Sequence, residues 1–511
     1  MLNEVAAGRG VEWRDWILRH RMALLLGVVL VYAAGFSLEW RISPDSAANA
    51  VVARHLARGG EFAGATELGI DAMKLQPGLP WLMAGTMRLF DERTLWPLNI
   101  PMWLTALGGL AILYRLLRWH FEAAVAAIIV TLAAINLTYY EAGLRLLTEM
   151  PFTFGLLVML LGYEWFRQFN DWRMIAGIGL IIGGIGLMAL FRSVALVAVA
   201  ALMLSLLWQS VRGPQRRRAA WMLVAALALL ALQRAADPRL ATPWVLNPDE
   251  QRVFTLLTTR LDYVARSVMG STHLPKLIDE AISETLLGVE LDPFSGVLLA
   301  VLILIGLVRL FRVRPLWGLI VCGFIVQVVV FRAALARYFV PIVPLLAVVW
   351  WLSVCHLRAR LPDGAGKVVG ASMLVLWIGC NLARIADLAW EQRQAQPLAH
   401  YRDGRYPVLK LFADELRAEV ASARQPLILE HDAATPELRW YADMPMRSAA
   451  SYLRESGPSL PHDRPVYLIT RTRDGVERIA TRLERAAAGP VIEQPYPKYG
   501  PWLVYQLMEP P

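Results

Sequence analysis

The stretch "MALLLGVVLVYAAGFSLEWRISPDSAANAVVARHLARGG", Met22 to Gly60, holds an uncharged run and then, within a few residues of its end, an acid directly after a proline. From Met22 to Leu38 the run is long enough to cross the ~30 Å hydrocarbon core of a bilayer as a helix. Arg9, Arg14, Arg19 and Arg21 precede it, as in a secretory leader. No small-residue cleavage site follows and comparable runs recur downstream, so the expectation is a retained first span. Asp45 then stands where the chain should meet the headgroups. One reading makes it the N-cap of the helix "SAANAVVARHLARG"; the other makes it a working carboxylate at the membrane boundary.

The rest of the chain repeats the pattern. Of its 511 residues 57% are hydrophobic and 18% charged, with a mean hydropathy of +0.44, whereas about a quarter of the residues of soluble domains are charged. Apolar runs place candidate spans near 22–39, 98–114, 121–140, 151–166, 174–191, 194–210, 219–233, 295–311, 316–332, 338–356 and 368–388, about eleven by the length rule. Arg115 and Arg118, Arg167 and Arg173, Arg212 with Arg216, Arg217 and Arg218, Arg309 with Arg312 and Arg314, and Arg358 with Arg360 and Lys367 fall on alternate connections. With the N-terminal arginines they mark the cytoplasmic side. The net charge of +9 is therefore a topology signal, and no nucleic-acid partner is expected. Cys322, Cys355 and Cys380 all fall in apolar segments, where a thiol is a small hydrophobe.

An odd number of spans puts the C-terminus and three long segments on the opposite face: about 40–97, 234–294, and the tail from about 389. The expected architecture is an α-helical polytopic membrane domain over 1–390 and a small periplasmic α/β domain over 391–511. In the first loop "SAANAVVARHLARGG" reads as a surface helix ended by Gly59 and Gly60, and "LPWLMAGTMRLF" as an amphipathic or re-entrant piece. The loop 234–294 offers helices around 249–268 and 274–287. In the tail, "PLILEHD", "PVYLIT" and "PWLVYQLM" read as strands and "RDGVERIATRLERAA" as an amphipathic helix, with no phosphate loop, nucleotide fingerprint or zinc-ligand spacing.

Cations are least expected on the non-cytoplasmic face, yet Lys74, Arg145, Arg192, Arg332 and Arg337 lie at its boundaries. Singly, each is accounted for by snorkelling; together they suit a bound anion, above all a phosphate. Asp45 and Glu149 share that face, and for Glu149 the plain alternative is an i to i+4 ion pair with Arg145.

The order of these features resembles the GT-C superfamily of membrane glycosyltransferases, in the branch of protein O-mannosyltransferases and lipid A aminoarabinose transferases. The matching pieces are the acid after the first span ("SPDSAANAVVARHLARGGEF"), "MKLQPGLPWL" downstream, "RLLTEMPFTF" after the third span, and "RYFVPIVPLL" at a late span. The resemblance implies transfer of a sugar from a polyprenyl-phosphate donor to a lipid, glycan or protein acceptor, at the extracytoplasmic face of a bacterial inner membrane and with inversion. It implies Asp45 as general base, Lys74 and Arg337 with Tyr338 on the donor phosphate beside the boundary cation Arg192, and Glu149 orienting the acceptor or helping to bind a metal, with Arg145 on the acceptor side. Relatives often carry a second acid after the first, and here the pair is Asp45-Ser46. A hard cation such as Mg or Mn wants more than one carboxylate, so no cofactor is assigned.

Rival readings differ in where they put charge. A transporter or flippase calls for ionisable residues inside the spans and internal repeats. An O-antigen-type ligase or polymerase calls for a histidine in a large late loop, where "MGSTHLPK" supplies His273.

Overall fold

The computed structural model describes residues 11–36, 43–62, 75–92, 95–212, 282–289, 291–331 and 336–394, scattered positions from 216 to 224, and beyond 411 the elements named below with a few positions among them. In chain order the helices are α1 (Val11–Gly35), α2 (Pro44–Ala57), α3 (Gly78–Leu89), α4 (Asn99–Leu117), α5 (Ala123–Ala134), α6 (Leu137–Gly143), α7 (Glu149–Gln168) and α8 (Trp172–Phe191). They continue with α9 (Ala195–Arg212), the single turn α10 (Glu284–Leu287), α11 (Pro293–Val313), α12 (Pro315–Phe331), α13 (Val343–Arg360), α14 (Asp363–Gln394) and α15 (Arg473–Arg482). A 3-10 segment, Ala336–Ile342, leads into α13. The chain divides into two compact units, Met1–Trp40 with Trp96–Ala389, and Arg41–Leu95 with Trp390–Pro511.

Among the described residues five stretches are long and apolar enough to cross a membrane: Trp96–Leu117, Trp172–Phe191, Phe294–Val313, Arg337–Arg360 and Asp363–Trp390. Against the expected spans, 121–140 is instead the pair α5 and α6, bent by 70°. Shorter apolar helices, Met22–Gly35, Ala195–Val211 and Pro315–Val328, occupy three further candidates. The candidate 151–166 lies in α7, whose 20 residues include Glu149, Glu164 and Arg167, and 219–233 falls largely outside the described residues. The length rule assumed one apolar run per crossing, and it misses both the bend and the buried charges.

Helices α7 and α8 form the closest pair. Gly155 and Gly162, two turns apart on α7, meet Gly184 and Gly177, two turns apart on α8. A Cβ on Gly162 would stand 2.5 Å from the Gly177 carbonyl oxygen, and one on Gly184 would stand 2.6 Å from that of Gly155. Only glycine allows backbones to approach so far, and in lipid such close packing replaces the hydrophobic force as the glue. The antiparallel hairpin that results sets the first turn of α7 beside the last turn of α8.

The arginine-rich ends of these helices hold a buried polar cluster. Glu164 on α7 lies 3.8 Å from His120 Nε2 and 3.7 Å from Arg314 Nε, joining α7 to the turns after α4 and α11. Between α11 and α13, Arg309 Nη2 is 2.6 Å from His356 Nδ1. Arg115 stacks on Trp119 and Arg173 on Phe169, at 5.3 and 4.9 Å from the ring centroids. At the start of α11, Asp292 caps the helix, and the hydroxyl and amide of Ser295 hold its carboxyl below the usual range.

The second unit contains α2 and α3 and the C-terminal strands. α2 is no surface helix: Ala47, Ala50, Val52 and Ala53 are fully buried. α3 packs on it, with Arg88 donating to the carbonyls of Leu56 and Ala57 and Arg58 pairing with Glu92 at 2.6 Å. Gly59, at φ +90°, ends the turn after α2, as a residue without a Cβ can. The strands β1 (Leu427–His431), β2 (Met446–Ser448), β3 (Val466–Thr470), β4 (Ala486–Ala487), β5 (Ile492–Gln494) and β6 (Trp502–Met508) run in the order β2-β1-β3-β6-β4, with β5 also on β6. β1 is parallel to β2 and β3, and β6 is antiparallel to β3 with Leu468 opposite Tyr505. Leu429, Leu468 and Leu503 are fully buried, and Leu483, after α15, lies in the same core.

The hairpin gives the first test. Gly162→Val places a branched side chain against the α8 backbone and should cost about 1–3 kcal/mol or more. The expected result is a clear fall in the melting temperature of the purified protein, with Gly179→Val, where a Cβ meets nothing within 4 Å, as the tolerated control.

Candidate functional site

Glu149 begins α7, where the free amides of the first turn favour a carboxylate. Its side chain is 4% exposed, and Arg192, the residue that ends α8, donates from Nη1 to Oε1. Thr148 Oγ1 lies 3.4 Å from the other carboxylate oxygen. The partners are 43 residues apart in sequence, and the glycine contacts of the hairpin bring them together. A buried carboxylate in this position is stable because the guanidinium sits on it; neither ion alone could be buried cheaply.

The 3-10 segment adds two more residues. The guanidinium carbon of Arg192 lies 5.4 Å from the centroid of Tyr338, and that of Arg337 lies 5.3 Å from the same centroid. Two arginines thus converge on one ring, within the range at which a cation is attracted to an aromatic face. Pro341 inside the segment and Pro344 in the first turn of α13 remove backbone donors and favour a tight entry into the helix over a regular α-turn. The segment packs against α7 on one side and against α6 and α10 on others. Glu149, Arg192, Arg337 and Tyr338 therefore form one cluster, at helix ends opposite the arginine-rich turns.

The other expected residues fall elsewhere. Arg145 pairs with Glu141, not with Glu149. The i to i+4 rule applied to 145 and 149 fails because α6 stops at Gly143 and α7 starts at Glu149, so the two residues share no helix. Asp45 lies in the second unit, exposed in the first turn of α2. It is not the N-cap: Ser43 is, accepting from the Ser46 amide at 3.2 Å, while Ser46 Oγ accepts from the Ser43 amide at 2.8 Å. That reciprocal pair is a capping box, and it gives Ser46 a structural duty. Pro44 at the first helical position was the sequence signal for the cap. Lys74, Arg332 and His273 lie outside the described residues.

Glu141, the glycine spacing on α7 and α8, and the buried cluster at Glu164 escaped the sequence reading. The glycine repeats were the available signal for the first-turn to last-turn contact. For a divalent metal the donors do not fit: among the described residues no group of three His, Cys, Asp or Glu side chains stands together. The carboxylate in the cluster is faced by guanidinium groups, which repel a cation. No step is assigned to a metal.

Removing one partner of the buried pair tests its weight. Arg192→Met leaves Glu149 buried without its counter-charge and should cost about 3–5 kcal/mol. The double variant Glu149→Gln with Arg192→Met should recover much of the lost melting temperature; equal losses in single and double variants would show that no such pair exists.

Residues 75–233 match the family described as dolichyl-phosphate-mannose-protein mannosyltransferase. No curated protein sequence matches the chain. Among solved structures, ArnT from Cupriavidus metallidurans superposes with a TM-score of 0.52 at 14% identity, over 95% of this chain and 97% of that one. The same protein bound to undecaprenyl phosphate gives 0.52 at 13% identity, again over 95% and 97%. The Archaeoglobus fulgidus oligosaccharyltransferase tethered to an acceptor peptide gives 0.56 at 12% identity, over 93% of this chain and 70% of that one. The family match thus spans residues 75–233, and the fold of these solved structures extends over nearly all of the chain.

Proposed function

We propose that this protein is a glycosyltransferase that moves a sugar from a polyprenyl-phosphate donor to a lipid, glycan or protein acceptor at the extracytoplasmic face of the membrane, with inversion. The observation that carries the reading is the cluster of Arg192, Arg337 and Tyr338 around Glu149, at helix ends away from the arginine-rich turns. Two guanidinium groups at a membrane boundary suit the phosphate of a lipid whose chain stays in the bilayer. The ArnT structure from Cupriavidus metallidurans that shares this fold is a complex with undecaprenyl phosphate, which supports that ligand class for this chain.

The chemistry follows from the donor. A sugar on a lipid phosphate is already activated, so an acceptor hydroxyl or amine attacks the anomeric carbon as the bond to the phosphate oxygen breaks. The acceptor's proton passes to a carboxylate, and the polyprenyl phosphate leaves with the bonding electrons. Asp45 is assigned as that base: it is exposed at the first turn of α2, and Ser43 and Ser46 relieve it of capping. Arg337, with Lys74, stabilises the charge that develops on the departing phosphate. Arg192, oriented by Glu149, adds its charge to the phosphate site, and Arg145 with Glu141 is assigned to the acceptor side. The arginine pattern supports an N-terminus in the cytoplasm and residues 391–511 in the periplasm.

The test is transfer from a panel of synthetic polyprenyl-phosphate sugars by purified protein. Asp45→Asn should lower turnover by about 10²–10⁴-fold while leaving donor binding intact. Arg337→Ala should instead weaken binding of the lipid phosphate. Full turnover by a folded Asp45→Asn removes the base assignment, and absence of binding to every lipid phosphate removes the reading as a whole.

A further inference from the structure

The bend between α5 and α6 is closed by side chains from distant helices, and Asn381 sits at their junction. A broken helix leaves backbone donors and acceptors without helical partners, and in a membrane protein these must be satisfied from within. Here Trp377 Nε1 donates to the Leu132 carbonyl at 3.0 Å and the Tyr32 hydroxyl to that of Ala134 at 3.3 Å. After the bend, Asn136 Oδ1 accepts from the Tyr139 amide at 3.1 Å and Asn381 Oδ1 from the Leu137 amide at 2.8 Å. Asn381 also donates to the carbonyls of Leu286 at 2.8 Å and Trp377 at 2.9 Å, while Asn136 donates to Thr285 at 2.6 Å. Both asparagines are fully buried.

These bonds fasten three segments to one another: the start of α6, the turn α10, and the middle of α14. α6 and α10 both pack against the 3-10 segment that carries Arg337 and Tyr338. α10 ends at Gly288, at φ +68°, whose Cα side rests on Arg384 of α14, so the turn is gripped at both ends. The packing beneath the 3-10 segment is thus set by this hydrogen-bonded hub.

We infer that Asn381 is a positioning residue for the anion site at Arg337 and Tyr338: it fixes α6 and α10 and, through them, the 3-10 segment. The inference rests on the reading of that site as the seat of the donor phosphate. Undecaprenyl phosphate is the probe, its Kd measured on monodisperse protein whose melting temperature is recorded in the same sample. Asn381→Leu fills the volume and removes the three hydrogen bonds of the Asn381 side chain, and should weaken binding about tenfold or more, since misplacement of a site by about 1 Å can cost up to 10²-fold. Trp377→Phe, which keeps the ring and loses one donor, should change binding by about twofold or less by the same scale.

A folded Asn381→Leu that binds within twofold of the parent overturns the inference and leaves the hub as a fold staple. If Asn381→Leu does not fold, Asn136→Asp decides: it keeps the acceptor for Tyr139 and loses the donor to Thr285. Weaker binding then upholds the inference, and unchanged binding overturns it. Failure of the unaltered protein to bind the lipid phosphate is a different result, which overturns the donor reading itself and the inference with it.

Discussion

Backbone amides and carbonyls cannot stay unpaired in hydrocarbon, and most of the first unit follows from that rule. It makes helices even of poor helix formers: α8 reads "WRMIAGIGLIIGGIGLMALF" and is helical throughout although glycine is among the weakest residues for the purpose. Once the helix is imposed, the glycines become useful, because those facing α7 let two backbones touch. Where the helix does break, at the bend after Ala134, the same rule calls in Tyr32, Trp377, Asn136 and Asn381 to complete the pairing.

Charge obeys a second constraint. Ions are kept at helix ends or buried in pairs, and the two ends of α7 show both solutions. At one end Glu149 meets Arg192; at the other Glu164 lies between His120 and Arg314. The difference between them is what else arrives. The 3-10 segment brings a tyrosine and a second arginine to Glu149 and Arg192, an assembly suited to an anion. The Glu164 cluster joins three elements and closes on itself.

Much of this was legible in the sequence, though unevenly. The order of apolar runs and arginine-rich turns revealed a helical membrane protein; Glu149, Arg192 and Arg337 were singled out by position, and Tyr338 only by the family resemblance. Their partners were not. Glu149 was paired with Arg145 by a rule valid only within one helix, and the turn at Leu144–Thr148 breaks it. The true partner lies across a hairpin, at a distance no local rule reaches. At Asp45 the error ran the other way: the cap reading fell two residues too late, although Ser-Pro ahead of it is a strong opening for a helix. Asn381 sits among apolar neighbours in a long helix, and nothing in its surroundings announces that its partners are backbone groups of other segments.

The hairpin also acts as a gauge. At a rise of about 1.5 Å per residue, the 20 residues of α7 and the 20 of α8 span about 30 Å, the thickness of an ordinary hydrocarbon core. Because the glycine contacts keep the two helices from sliding independently, the Glu149–Arg192 plane and the arginine-rich plane are held at a fixed separation. A membrane of different thickness cannot be met by stretching this pair; it has to tilt the hairpin or pucker the lipid around it. Bilayer depth, as well as residue chemistry, is thereby built into where Glu149 and Arg192 present themselves.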